Sequence, residues 1–116
     1  MDRLFVPLCT QPFLDFKHNG KKYELRACKG RFSQKHVYAN RKVEIRRGYS
    51  GESIWGTIGN SVAGDLNEIL KKINFKEIIP SADSEKEAIS KIKAYLGEQS
   101  EYIAFEIIFW APFNAS

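Results

Sequence analysis

The segment Gly20-Lys21-Lys22-Tyr23-Glu24-Leu25-Arg26 constrains this chain more than any other. It follows a short helical segment and reads as a strand, with Tyr23 and Leu25 pointing one way. Side chains alternate across a strand, so Lys22, Glu24 and Arg26 share the opposite face. Three fixed charges in the order plus, minus, plus form a rigid polar row on a sheet. Such a row either binds a phosphate or a polar base, or is a solvated ladder of ion pairs crossing to Glu44 and Arg46 on a neighbouring strand. Surface pairs of that kind contribute only about 0–1 kcal/mol each.

The pattern around the row sets the fold. Residues 3–8 carry Leu4, Phe5, Val6 and Leu8 and read as a buried strand. Thr10 is the N-cap candidate of a helix with Pro12 in its first turn, where a missing N–H costs little. That helix buries Phe13 and Phe16 and stops at Gly20, a residue type that accepts a left-handed conformation. The second strand is Lys22–Arg26. Residues 28–41 are rich in turn formers and polar side chains, a loop or loose ribbon. Lys42–Arg47 alternates, and turn residues at 48–53 predict a hairpin to a strand over Ile54–Asn60. Gly56 and Gly59 within that strand signal a bulge or a close backbone approach.

Asp65 reads as the N-cap of a short helix with Leu66, Ile69, Leu70 and Ile73 at helical spacing, closed by Asn74. Phe75–Ile79 reads as an extended connector ending at Pro80. Ser84 and Glu87 form a capping box for a helix from Glu85 to Leu96, ended by Gly97. Tyr102–Phe109 is the clearest strand, with Ile103, Phe105, Ile107 and Phe109 on one face. The order β-α-β-loop-β-β-α-α-β, with hairpin connections, predicts a mostly antiparallel sheet, curled or closed, with helices at its side.

At 116 residues the chain is expected to be one domain, large enough for one continuous core. No apolar run approaches the ~18 residues of a membrane span, and no signal peptide opens the sequence, so a cytoplasmic location and no membrane partner are expected. Cys9 and Cys28 are too few for a disulfide framework and are expected as thiols. His18 and His36 stand at no zinc-finger spacing from them, so neither metal nor cofactor is expected.

Charge is unevenly placed. Residues 1–50 hold 12 Lys and Arg against 4 Asp and Glu, whereas residues 51–116 hold 6 against 10. No acidic residue lies between Glu24 and Glu44, while Lys29, Arg31, Lys35, Arg41 and Lys42 do. Such a segment favours a polyanion, although charge blocks are commonly just solvated loops. Phe32 and Tyr38 among the cations favour RNA, whose bases stack on exposed rings, or else anchor the loop to the core.

Helix, Gly-x-Lys, then a strand with Glu-x-Arg resembles the signature of the ASCH family, a branch of the PUA-like β-barrels. Gly20, Lys22, Glu24 and Arg26 meet it here, with Gln11-Pro12 in the preceding helix and one residue fewer between Lys and Glu than the family often has. Residues 54–58 (Ile-Trp-Gly-Thr-Ile), Ile78-Ile79-Pro80 before a capped helix, and Ile103-Ala104-Phe105-Glu106 extend the resemblance over nearly the whole chain. It implies a single PUA-like domain over residues 1–116. Its form is a mostly antiparallel barrel of five to six strands with two or three flanking helices. It also implies a cleft beside the charged strand, suited to RNA or a modified nucleoside.

Some family members remove the acetyl group from N4-acetylcytidine with a Lys, a Thr and a Glu, others are reported to cleave RNA, and some act in transcription coactivation. Carried over, the lysine falls on Lys22 and the glutamate on Glu77, while Glu24 stands where the threonine would be. A carboxylate cannot take the proton role of a hydroxyl. Two functions are therefore in view. In the first, Lys22, Glu24 and Arg26 contact RNA or a nucleoside, and Lys29, Arg31, Lys35, Tyr38 and Arg41 guide the phosphate backbone. In the second, Lys22, Glu24 and Glu77 are the catalytic groups of a small hydrolase. Glu106, between Ala104 and Ile108, is expected to orient Arg26 or Lys22, and Trp55 and Tyr23 are expected as core rings. No obligatory protein partner is implied.

Overall fold

The computed structural model describes residues 2–111. Its elements are β1 (Leu4–Leu8), α1 (Thr10–His18), β2 (Tyr23–Ala27), β3 (Lys42–Arg47), β4 (Ser53–Gly64), α2 (Leu66–Lys72), α3 (Glu85–Leu96) and β5 (Tyr102–Phe109). Short 3-10 turns occupy Gly30–Phe32 and Phe75–Glu77.

Local chemistry explains the boundaries. Cys9, extended at φ −63° and ψ 164°, is the N-cap of α1, so Thr10 is already helical and not the cap. Gly20, at φ +79°, turns the chain out of the helix, and the Lys21 N–H still bonds the Asp15 carbonyl at 3.1 Å. The strand consequently begins only at Tyr23. Asp65 and Glu68 form a reciprocal capping box on α2. Ser84 accepts from the Glu87 N–H, but Glu87 reaches back to Asp83, so α3 has half a box. Residues 75–77 are a 3-10 turn rather than an extended connector, because the Asn74 side chain caps them through the Lys76 N–H.

The sheet runs β1-β3-β4-β5-β2, with β1 parallel to β3 and every other pair antiparallel. It curls into a half-barrel with three helices, an α+β fold. β2 lies against β5, so its charges do not continue onto β3 as a ladder. Glu44 and Arg46 belong to a separate network with Arg3 and Ser53. The β4–β5 register shifts between Ile58 and Ser61, the irregularity that Gly59 signalled. At Gly56 a Cβ would collide with the Ile108 carbonyl oxygen, so the two backbones approach closely there.

β5 divides two cores. Ile103, Phe105 and Ile107 point into the concave side, among Val6, Val43, Ile45, Ile58 and the α1 residues Phe13 and Phe16. Tyr102 and Ala104 point the other way, against Leu66, Ile69 and Leu70 of α2 and Ile92 of α3. Fully buried Phe105 stacks on Phe32, which fastens the basic 28–41 segment to the core. Truncating such a ring to alanine costs about 3–5 kcal/mol. α2 and α3 cover only part of the outer face. Phe5, Trp55, Ile108 and Trp110 lie on the remainder, with Ile108 and Trp110 each more than half exposed.

Candidate functional site

α1, the start of β2, residues 78–81 and α3 enclose a cleft of ≈ 210 Å³. Leu25, Ile79, Ile92 and Leu96 give it apolar surface. Gln11, Asp15, Lys21, Glu24, Ser81 and Lys91 give it polar groups, and Tyr95 stands at its edge. The polar groups are fixed by folding. Asp15, on the buried side of α1, accepts from Gln11 Nε2 at 2.9 Å and from Asn19 Nδ2 at 2.8 Å.

The lysine beside Glu24 is Lys21. Its Nζ lies 3.4 Å from Glu24 Oε1 and donates to the Tyr23 and Ile78 carbonyls at 2.7 and 2.6 Å. It also sits over the Phe16 ring at 5.0 Å. Burial pushes the Lys21 ammonium below its ordinary pKa, and the neighbouring Glu24 and Asp15 carboxylates oppose that shift. Glu24 Oε2 then accepts from Arg26 Nε at 2.6 Å, and Arg26 Nη2 donates to the Pro7 carbonyl at 2.8 Å while its guanidinium stacks on Phe32. The plus-minus-plus row is therefore Lys21–Glu24–Arg26.

Lys22 lies outside it. Its carbonyl already accepts the Ile107 N–H of β5 at 3.0 Å, but its side chain is exposed and pairs with Glu77 at 3.2 Å. Lys22 and Glu77 thus meet each other, and neither lines the cleft that Glu24 lines. Glu106 orients neither Arg26 nor Lys22, since its Oε1 accepts the Asn60 N–H at the β4 bulge. Tyr23 is partly buried against the α2–α3 core as expected, whereas Trp55 lies on the outer face beside Trp110.

Lys29, Arg31 and Lys35 are exposed on a segment that Phe32 and Val37 anchor from beneath. Arg41 is held by the Asp2 and His36 carbonyls and lies 5.7 Å from the Tyr38 ring. Sequence reading passed over Asp15, Lys21, Lys91 and Tyr95 as site residues. For Lys21 a signal existed: a residue directly after a left-handed glycine continues the turn, so the strand alternation cannot be counted from it.

No family model matches the chain, and no curated protein matches its sequence. Solved structures do share its architecture. The crystal structure of hypothetical protein PH0355 superposes with a TM-score of 0.77 at 16% identity, over 93% of this chain and 99% of that one. The solution structure of PF0455 from Pyrococcus furiosus gives 0.65 at 16% identity, over 94% and 98%. The fold class is thus α+β, a curled five-stranded half-barrel with three helices that these structures share. A solved ASCH structure has the same fold. The crystal structure of ASCH from Zymomonas mobilis gives a TM-score of 0.61 at 13% identity, over 90% of this chain and 65% of that one. This chain spans about two thirds of the Zymomonas protein's length.

Proposed function

We propose that this protein binds RNA or a modified nucleoside, with one base held in the cleft between α1, β2 and α3. The observation that carries this reading is the cleft's composition. Apolar Leu25, Ile79 and Ile92 suit the faces of a flat ring, and Gln11, Asp15, Glu24 and Lys91 suit its polar edge. Because Glu24 and Asp15 are both held by neighbours, the polar edge is preorganised and costs little ordering on binding. Lys29, Arg31 and Lys35 add long-range attraction for a phosphate backbone. Within the row, Lys21 and Arg26 brace the cleft wall, since their hydrogen bonds go to the protein itself.

Calorimetric titration with cytidine, N4-acetylcytidine and a short single-stranded RNA tests this. Binding of at least one, abolished by a cleft-filling Ser81→Phe, is expected. Absence of binding by all three at low salt refutes it.

A buried lysine with a lowered pKa against a carboxylate also suits a base or an oxyanion donor, which keeps a hydrolase acting on an acylated nucleoside or on RNA as a second reading. Its assay is turnover of N4-acetylcytidine and of labelled RNA by the wild type, Lys21→Met and Lys22→Ala. Loss on Lys22→Ala alone places the chemistry at the Lys22–Glu77 pair, and no turnover by the wild type removes the reading.

A further inference from the structure

The outer face of the sheet carries a second surface, remote in chemistry from the cleft. We infer that it is a stacking platform for single-stranded nucleic acid, built on Trp55 and Trp110. Strand register places Phe5 opposite Glu44 and Glu44 opposite Trp55, and the Trp110 N–H bonds the Trp55 carbonyl at 3.1 Å. One row therefore crosses β1, β3, β4 and the end of β5. Its aromatic stations, Phe5 and the tryptophan pair, lie two strand spacings apart, about 10 Å.

The two indoles are nearly parallel, 19° between planes with centroids 6.1 Å apart. The Lys42 ammonium lies 5.5 Å from the Trp55 ring centre and 5.8 Å from that of Trp110. At the other station Arg3 and Arg46 flank Phe5 at 5.4 and 4.8 Å. Aromatic rings with cations beside them are what a chain of bases joined by phosphates requires: rings take the bases, and the Lys42 ammonium and the outer nitrogens of Arg3 take the backbone, while Arg46 is held by Glu44, Ser53 and the Tyr49 carbonyl. The carboxylates nearby are occupied, Glu44 by Arg3, Arg46 and Ser53, and Glu106 by the Asn60 N–H.

Cover is the other half of the argument. α2 and α3 pack on Tyr102 and Ala104 of this same β5 face, yet further along the strand Ile108 is 51% and Trp110 58% exposed. One large ring, Trp110, left at water beside Lys42 and the half-buried Trp55, on a sheet whose other outer half is covered, favours a polyanionic occupant over an apolar one. A second copy of this chain would set Lys42 against Lys42 across a two-fold axis near the pair, which like charge disfavours.

The chain holds two tryptophans, so its indole emission reports on this platform and nowhere else. Titration with single-stranded oligouridylate and oligothymidylate of about ten nucleotides, the span of one single-strand site, is expected to quench that emission, less so as salt rises. With labelled oligonucleotide followed by anisotropy, Trp110→Ala is expected to weaken binding about tenfold, one stacked base. Lys42→Gln weakens it less, and in Ser81→Phe, whose cleft is filled, the quenching of indole emission by the oligonucleotide persists. That last variant separates the platform from the proposed function, since cleft binding fails with it and stacking does not.

The inference is overturned by emission that no single strand quenches at low salt, or by Trp110→Ala that is folded by circular dichroism yet binds as wild type. It is overturned equally by quenching lost in Ser81→Phe, or by emission that instead follows protein concentration as the chain self-associates.

Discussion

The Arg26 guanidinium donates to the Pro7 carbonyl at 2.8 Å and so ties β2 to β1, the two edge strands of the five-stranded sheet. A curled sheet that does not close leaves both edges with unpaired backbone groups. Here one side chain spans the gap, and Glu24 holds that side chain in place at 2.6 Å while also facing Lys21. The row is thus part of what keeps the half-barrel curled.

Glu24→Gln should therefore destabilise the protein. The substitution leaves Lys21 and Arg26 buried or nearly so without their anion, a change that costs about 3–5 kcal/mol. At roughly 4 °C per kcal/mol for a domain of this size, the melting temperature falls by about 12 °C or more. A shift under about 4 °C in thermal unfolding followed by circular dichroism would mean that the row is not structural.

Much of the architecture was legible in the sequence, because periodicity reports burial directly. Lys42–Arg47, Glu85–Leu96 and Tyr102–Phe109 have the bounds their patterns predicted, and the element order holds throughout. What was not legible depended on neighbours distant in sequence. Nothing local says that β2 pairs with β5 rather than with β3, so the destination of the charged row and the partner of Glu106 could not be read. Lys21 and Lys22 differ only in how far the turn at Gly20 runs before extended geometry begins. A single residue of turn moved the buried lysine from one to the other. Trp55 reads as a core ring by composition, but α2 and α3 pack on other residues and it lies half-buried beside Trp110 and Lys42.

Glu44 gives a pH dependence with a definite sign. Burial alone would raise its carboxyl, but hydrogen bonds from Ser53, Arg46 and Arg3 outweigh it and lower the pKa from an ordinary 4.5 to about 2. A carboxyl depressed in the folded state contributes stability that is complete above about 4.5 and lost as the pH falls through about 2. Urea unfolding should therefore show wild type well above Glu44→Gln at pH 7, with the gap narrowing between pH 4.5 and 2. A gap independent of pH across that window would refute the assignment.

Gly56→Ala tests the close approach of β4 to β5. The added methyl meets the Ile108 carbonyl, which is backbone and cannot swing aside as a flexible side chain would. Overpacking of this kind typically costs about 1–3 kcal/mol. Gly20→Ala also destabilises, but by backbone strain at φ +79° with open space around the Cβ. Unfolding midpoints of the two variants should both fall. Only Gly56→Ala should shift the amide resonances of Ile108 and Phe109, and an unshifted β5 spectrum would count against the contact.

The basic segment offers the cleanest test of polyanion binding. Lys29, Arg31 and Lys35 are exposed, and buried Phe32 and Val37 hold the segment to the core, with Arg31 lying over the Phe32 ring at 5.3 Å. Changing all three to alanine should leave the melting temperature nearly unchanged, since surface substitutions of this kind usually stay within about 0.5 kcal/mol each. Each cation that meets a phosphate releases a counterion, with a slope of about 0.7 per contact on single strands. If all three meet phosphates, the plot of log affinity against log salt should flatten by about 2. The loss in affinity should be similar for every RNA sequence, because phosphate contacts carry no base identity. An unchanged slope with normal affinity would make the segment a solvated loop with no part in binding.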